Sequence, residues 1–212
     1  ILAVPVLAAA ESAVRFTADV AYLAPDRAEK LDLYQPASPA AGALSPALVW
    51  IHGGGWKGGT KTEARAKSIC TTLAEAGYVA VSIDYRLGDG AWPTSLFDGK
   101  NAVRFLRAHA AEYQLDPNRI AVAGGSAGGH LALMVALTAG LKELEPAGAA
   151  TPYPGMSSAV RCVINMYGIA DLLTRREIDP EGNPGEVRPL AASQLNVFGA
   201  TSAADPVLRL AS

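Results

Sequence analysis

Residues 119–137, with the sequence RIAVAGGSAGGHLALMVAL, decide the fold. Residues 119–123 form a short apolar run, residues 124–129 are dense in glycine around Ser126, and residues 131–137 are apolar again. This pattern predicts a strand, a tight turn and a helix, which is the arrangement of a G-x-S-x-G nucleophile elbow. Small residues suit such a turn because Ser126 must project with little cover. The helix also directs its free N–H groups toward any anion that forms beside the serine.

A second glycine motif, His52-Gly53-Gly54-Gly55-Trp56, follows the apolar run at residues 47–51. Acyl transfer by serine requires N–H donors for the oxyanion of the tetrahedral intermediate. The N–H of Ala127 and those of the glycine loop are the candidates, since glycine lets the backbone approach a substrate oxygen closely. Two such motifs in this order, each at the end of a predicted strand, indicate a serine ester hydrolase.

The composition is typical of one globular domain and argues against a nucleic-acid partner, a membrane-spanning helix and a cysteine metal site. The 212 residues are 50% hydrophobic, which is enough to fill the core of one domain. The net charge of −2 provides no basic stripe, so nucleic acid is not an expected partner. No apolar run approaches the roughly 20 residues of a membrane-spanning helix. Cys70 and Cys162 lack metal-type spacing and are predicted to be free, buried thiols. Neither a metal nor a cofactor is expected.

The first ten residues, ILAVPVLAAA, resemble the end of the apolar region of a signal peptide, with Ala8-Ala9-Ala10 as the cleavage site. A short buried strand or helix at the start of the domain is the alternative. The signal-peptide interpretation predicts a secreted or periplasmic protein whose domain occupies residues 11–212.

Alternating apolar residues predict a hairpin from 16–23 and 31–34, and then strands that alternate with helices. The expected fold is α/β, with a mainly parallel sheet covered on both faces and ligands at the carboxyl ends of its strands. Thr60 or Thr62 is expected to cap the first helix and Gly77 to end it. The predicted strands are 47–51, 78–83, 119–123 and 160–166, and the predicted helices are 62–76, 96–110 and 126–139.

From about residue 16 to residue 212 the chain resembles the α/β-hydrolase superfamily, in the branch of hormone-sensitive-lipase-like carboxylesterases and bacterial acetyl-xylan or feruloyl-type esterases. The resemblance implies a three-layer α/β sandwich, Ser126 as nucleophile and Gly54, Gly55 and Ala127 as oxyanion donors. It also implies that Trp56 lines the acyl or alcohol pocket. The motifs that carry it are the two glycine motifs with Leu31-Asp32-Leu33-Tyr34, Ile83-Asp84-Tyr85-Arg86-Leu87, Leu115-Asp116-Pro117-Asn118-Arg119-Ile120 and Tyr167-Gly168-Ile169-Ala170-Asp171-Leu172.

The chain departs from this family in its histidines. In the α/β-hydrolase fold the triad runs Ser, then Asp or Glu, then His. His52, His109 and His130 all lie before or within the elbow region, and none follows an acid that could complete a triad. We therefore expect the catalytic acid and histidine after Ser212. On this interpretation the sequence is truncated at both ends, lacks the last strands of its sheet, and carries a nucleophile without its base.

The remaining polar residues have structural interpretations. His52 is expected to brace the oxyanion loop and His130 to pack within its helix. His109 is expected to be a surface residue or a partner of the dipole at a helix C-terminus. Asp84 and Arg86 are expected to form a polar network that supports the loops of the site. Three carboxylates that follow the serine, Asp171, Asp179 and Asp205, are formal candidates for the acid, although each lies in a loop.

The sequence thus predicts a serine carboxylester hydrolase that forms an acyl-enzyme on Ser126. Short acyl esters are expected, because a large indole, Trp56, walls the pocket and residues 126–212 contain no long apolar lid. The substrate is a small molecule or a group linked to a polysaccharide. A peptidase or amidase of the same fold and a non-catalytic binding module are the alternatives, and the oligomeric state is open.

Overall fold

A computed structural model describes residues 13–38, 42–178 and 181–212. The proposed signal-peptide remnant, residues 1–10, and the candidate acid Asp179 lie outside the described residues.

The main sheet contains six strands in the order β1-β2-β4-β3-β5-β6. Strands β3 to β6 run parallel, whereas β1 and β2 form the predicted antiparallel hairpin, and β2 is also antiparallel to β4. A mainly parallel sheet is thereby confirmed. The strands are β1 (Val14–Val20), β2 (Leu31–Pro36), β3 (Ser45–Ile51), β4 (Val79–Ile83), β5 (Leu115–Gly125) and β6 (Cys162–Met166).

Helices cover both faces of this sheet. Because strand side chains alternate, Leu48 and Trp50 of β3 pack toward one face and Val49 and Ile51 toward the other. The first face packs against α1, and the second against α2 and α3, which gives the expected three layers. The helices are α1 (Ala64–Glu75), α2 (Thr94–Ala108), α3 (Ala127–Leu137), α4 (Ala192–Leu195) and α5 (Pro206–Leu210), and a separate hairpin joins β7 (Arg176–Ile178) to β8 (Pro184–Val187).

The ends of α1 confirm one prediction and correct another. Gly77 follows the helix with φ of +91°, and its N–H donates to the carbonyl of Ala74 at 3.1 Å, as expected of a C-terminal glycine. The expected cap by Thr60 or Thr62 is wrong, because the helix begins after Glu63 and no side chain caps it. The Thr60 hydroxyl instead accepts from the N–H of Thr62 at 3.4 Å, within the preceding turn.

The two thiols are both free, but only one is buried. Cys70 lies between α1 and the sheet, and burial raises its pKa to about 12. The prediction that Cys162 is buried is wrong, since it is exposed at the start of β6. Within the main sheet β6 pairs with β5 on one side and forms the sheet edge on the other. The apolar residues of β6 suggested a buried strand, but a strand at the edge of the sheet leaves Cys162 exposed.

None of the described helices has both the length and the apolar character that crossing a membrane would require.

Candidate active site

Ser126 occupies the turn between β5, which ends at Gly125, and α3, which begins at Ala127. Its backbone has φ of 55° and ψ of −121°, a region that a residue with a side chain adopts only when its surroundings enforce it. Its N–H donates to the carbonyl of Met166 on β6 at 2.9 Å, and the residue is exposed. The turn thus holds a strained serine with an accessible side chain at the carboxyl end of the sheet.

Backbone contacts explain why glycine surrounds this serine. A methyl group on Gly128 would overlap the carbonyl oxygens of Ile51 and His52 and would lie 2.7 Å from the carbonyl carbon of Ile51. A methyl group on Gly124 would lie 2.8 Å from the Ile51 oxygen. Real side chains essentially never approach so closely, so the elbow fits against the end of β3 only when Gly124 and Gly128 carry no side chain.

The second glycine motif lies directly beside the serine. The β3–β5 register pairs Ile51 with Gly124, so the loop that follows β3 begins next to the elbow. A Cβ placed on Gly53 would lie 3.4 Å from the Cβ of Ser126. Gly54 and Gly55 adopt φ of +116° and +62°, which glycine adopts without steric cost.

The N–H groups of this loop are available to a ligand. The Gly54 carbonyl accepts from the N–H groups of Lys57 and Gly58, each at 3.1 Å. The N–H groups of Gly54 and Gly55 have no acceptor within the part of the chain that the structure describes. The N–H of Ala127 belongs to the first turn of α3, where helix geometry provides no acceptor. Their role as oxyanion donors stays a prediction, and the structure brings the two segments together.

His52 is fully buried beneath the glycine loop. Its Nδ1 donates to the carbonyl of Gly53 at 2.7 Å, and its ring stacks on Tyr85 with centroids 4.5 Å apart. The Tyr85 hydroxyl donates to the His52 carbonyl at 3.0 Å. Burial lowers the pKa of the imidazole, which keeps it neutral. His52 therefore lies beneath the loop and bonds to it, and its role as a brace of the oxyanion loop stays a prediction.

His130 and Trp56 form a second buried pair, on the α3 side of the sheet. The indole N–H of Trp56 donates to Nδ1 of His130 at 3.2 Å, and Nε2 of His130 donates to the carbonyl of Ala211 at 2.6 Å. The Trp56 ring is 1% exposed and also packs edge-on against Phe198. The prediction that Trp56 lines a substrate pocket does not match this placement, because the indole is part of the core.

His109 follows the last residue of α2, and its Nδ1 donates to the Phe105 carbonyl at 2.8 Å, as expected of a histidine at a helix C-terminus. All three histidines of the chain thus bond to groups other than Ser126. Among the described residues, no histidine is hydrogen-bonded to Ser126.

The family model BD-FAE matches residues 31–208, which include both glycine motifs and all of strands β2 to β6. The chain belongs to the BD-FAE family. Its relatives are α/β-hydrolase esterases.

The chain is similar to several esterases. Esterase LipQ of Mycobacterium tuberculosis is 32% identical over 157 residues, which are 74% of this chain and 36% of LipQ. A truncated carbohydrate esterase from gut microbiota has a TM-score of 0.78 at 26% identity, covering 96% of this chain and 73% of that one. The butyrate-bound esterase Est2 of Thermogutta terrifontis has a TM-score of 0.62 at 31% identity, covering 76% and 55%. The chain spans about a third of the length of the curated relatives it matches.

Two of the candidate acids act as local caps. Asp171 accepts from the hydroxyl of Thr174 and from the N–H of Leu173 at 2.7 Å, and these hydrogen bonds lower its pKa. Asp205 accepts from the N–H of Val207 at 3.1 Å and caps α5. Both carboxylates organise their own turns.

A polar network lies behind the loop that follows β4. The Asp84 carboxylate accepts from the N–H of Lys61 at 2.8 Å, whereas the exposed Arg86 pairs with Glu29 at 3.0 Å. No described hydrogen bond or ion pair joins the two side chains, so a common network that supports the loops of the site stays a prediction. The sequence did not identify Asp98, a buried carboxylate that bonds to the Arg86 backbone. Asp98 accepts from the Arg86 N–H at 2.8 Å and pairs with Arg27 at 2.7 Å, while burial raises its pKa to about 6. A single carboxylate inside an amphipathic helix gives no sequence signal of such a role.

Among the described residues, no cluster of three or more histidine, cysteine, aspartate or glutamate side chains is arranged to hold a metal ion.

Protonation of His130 is expected to destabilise the fold in acid. Burial lowers its pKa from 6.5 to about 4, so between these pH values the unfolded chain binds a proton that the folded chain does not. Stability should therefore fall as the pH falls through this window, by up to about 3 kcal/mol. Asp98 has the opposite sign, because its folded pKa of about 6 exceeds 3.8 and it favours the folded state as the pH falls.

The two effects are separated by comparing variants. In urea denaturation at pH 7.5 and 4.5, the stability difference between the unaltered chain and His130→Gln should shrink at the lower pH. His109→Gln is the matched control at a half-buried site. A difference for His130→Gln that is the same at both pH values would contradict the prediction.

Proposed function

We propose that this protein is a serine carboxylester hydrolase that forms an acyl-enzyme on Ser126. One observation carries the proposal: the exposed serine is held at φ of 55° directly beside the glycine loop. The N–H groups of Gly54, Gly55 and Ala127 are the proposed donors to the oxyanion. Loss of one such donor typically costs about 10²–10³ in rate.

The proposed reaction has two acyl-transfer steps. The Ser126 oxygen attacks the ester carbonyl, its proton passes to a general base, and the alcohol leaves with that proton. Water then attacks the acyl-serine, gives its proton to the same base, and releases the acid while the proton returns to Ser126. The base is proposed to be another residue, because no described hydrogen bond joins His52, His109 or His130 to Ser126, and both ring nitrogens of His130 are engaged by Trp56 and Ala211.

Short acyl groups are the proposed substrates. Est2 of Thermogutta terrifontis was solved with butyrate and with propionate bound, which supports short acids at a related site. A long acyl chain would need an apolar lid over the site. The segment between β6 and α4 contains the exposed β7–β8 hairpin, and its described side chains form no such lid. Saccharide-linked esters are included in the proposal, because the neighbour with the TM-score of 0.78 is a carbohydrate esterase. Export from the cytoplasm is also proposed, because the apolar sequence of residues 1–10 resembles the end of a signal peptide.

Labelling tests the nucleophile. The longest natural polypeptide that contains this chain should react with a fluorophosphonate, and peptide mass spectrometry should place the adduct on Ser126. Ser126→Ala should not react, whereas Ser68→Ala, which changes an exposed serine on α1, should react normally. An adduct that forms equally in Ser126→Ala would refute the assignment, and absence of any adduct would favour the non-catalytic binding module.

An ester series tests the acyl preference in the same polypeptide. Rates with p-nitrophenyl esters should peak between acetate and butyrate, because each additional buried CH₂ gains about 0.8 kcal/mol only where an apolar channel exists. Faster turnover of p-nitroacetanilide than of the acetate ester would favour the amidase alternative. A maximum at dodecanoate would show that the proposed preference is wrong.

A further inference from the structure

Tyr167 is held in an unusual conformation beside the nucleophile. It directly follows Met166, whose carbonyl accepts from the N–H of Ser126. Its φ is 50°, an outlier for an aromatic residue, and the residue is 65% exposed. The amide side chain of Asn165 fixes the turn, since it accepts from the Gly168 N–H at 2.7 Å and donates to the Gly168 carbonyl at 3.2 Å. Enforced outliers of this kind cluster at ligand sites.

The ring of Tyr167 extends over the residue that precedes the serine. A Cβ placed on Gly125 would lie 2.8 Å from the phenolic oxygen of Tyr167 and 3.2 Å from its Cζ. The ring therefore covers the Gly125 backbone, one residue from the nucleophile. The phenol thus lies beside the residue that precedes the proposed nucleophile.

Arg65 lies against the same ring. Its guanidinium carbon is 5.5 Å from the ring centroid of Tyr167, a cation–π distance. It is exposed in the first turn of α1, where the helix dipole disfavours a cation, and that turn contains no acidic residue. Within the described part of the chain no carboxylate pairs with Arg65.

This arrangement is suited to a carboxylate ligand. A guanidinium that rests on an aromatic face keeps the N–H donors in its plane free, and their spacing matches the two oxygens of a carboxylate. We propose that Arg65 and Tyr167 select esters whose leaving alcohol carries a carboxylate. The inference rests on the function proposed for Ser126, and it names the substrate class of that site.

Binding of a non-hydrolysable pair of probes tests this selection without any turnover. 4-Acetamidobenzoate and 4-acetamidobenzamide have the same shape and differ in charge. In NMR titrations of the 212-residue chain, the carboxylate should bind about fivefold more tightly than the amide, the range of one exposed ion pair. The amide resonances of Ser126, Tyr167 and Gly168 should shift during the titration.

Three variants complete the test. Arg65→Gln should abolish the preference for the carboxylate, Tyr167→Leu should weaken it, and Lys67→Gln, which removes an exposed cation from the same helix, should leave it unchanged. A preference that survives in Arg65→Gln, one that is lost in Lys67→Gln, or shifts confined to a distant surface would overturn the inference. Fluorophosphonate labelling of Ser126 is independent of these titrations, so failure of the proposed function and failure of the selection are distinguishable.

Discussion

The 212-residue polypeptide is expected to hydrolyse p-nitrophenyl acetate at no more than the residual rate of an incomplete triad, about 10³–10⁴-fold over water. The reason is the placement of its histidines, since His52 lies beneath the glycine loop, His130 bonds to Trp56 and Ala211, and His109 bonds to its own helix. Without a base, the proton of Ser126 has no acceptor in the attack step. Initial rates of the purified polypeptide measure this directly.

Variants distinguish residual from triad-dependent catalysis. His130→Gln and His109→Gln should both leave the residual rate within a few fold of the unaltered chain. Turnover near the typical enzyme value of about 10 s⁻¹, with loss of that turnover in one histidine variant, would show that a histidine of this chain reaches Ser126 and that the described geometry is not the active one.

Gly128→Ala is expected to destabilise the fold by more than about 4 kcal/mol, or to prevent folding, because overlap with fixed backbone is among the largest effects of a single substitution. The added methyl group would overlap the carbonyl oxygens of Ile51 and His52. Neither oxygen can move freely, since Ile51 is paired with Gly124 in the sheet and His52 accepts from Tyr85. The free energy of unfolding in urea measures the effect, with soluble yield as a second readout.

Gly58→Ala is the matched control for this substitution. Gly58 lies in the loop after β3, and a Cβ there would have its nearest neighbour, the Gly54 oxygen, at 4.0 Å. Its stability should stay within about 1 kcal/mol of the unaltered chain. If Gly128→Ala were equally well tolerated, the tight contact between α3 and the end of β3 would not be a requirement of the fold.

The sequence predicted best those features that depend on local pattern. The strand, turn and helix around Ser126 follow from an apolar run, a glycine cluster and a second apolar run, and the structure has them within a few residues of the predicted bounds. The position of His52 against the glycine loop was also predictable, because that loop is its immediate neighbour in the chain.

Features that depend on contacts between distant parts of the chain could not be predicted from the sequence. The burial of Trp56 is created by Phe198 and by the His130–Ala211 bond, and no local pattern links these positions. The exposure of Cys162 depends on strand order, since the same apolar strand in the centre of the sheet would be buried. The left-handed conformation of Tyr167 could not be predicted from the sequence either, because it depends on the turn that Asn165 forms with Gly168.

The fit of α3 against the end of β3 has a consequence for how this protein can change. The nucleophile and the proposed oxyanion loop are aligned by contacts between main-chain atoms, at Gly124 and Gly128 on one side and Ile51 and His52 on the other. Substitutions at exposed positions such as Arg65 and Tyr167 leave these contacts untouched. Libraries that randomise the rim of the site while keeping the glycines should therefore alter substrate choice without erasing the reactive geometry, which makes this scaffold a tolerant starting point for laboratory evolution.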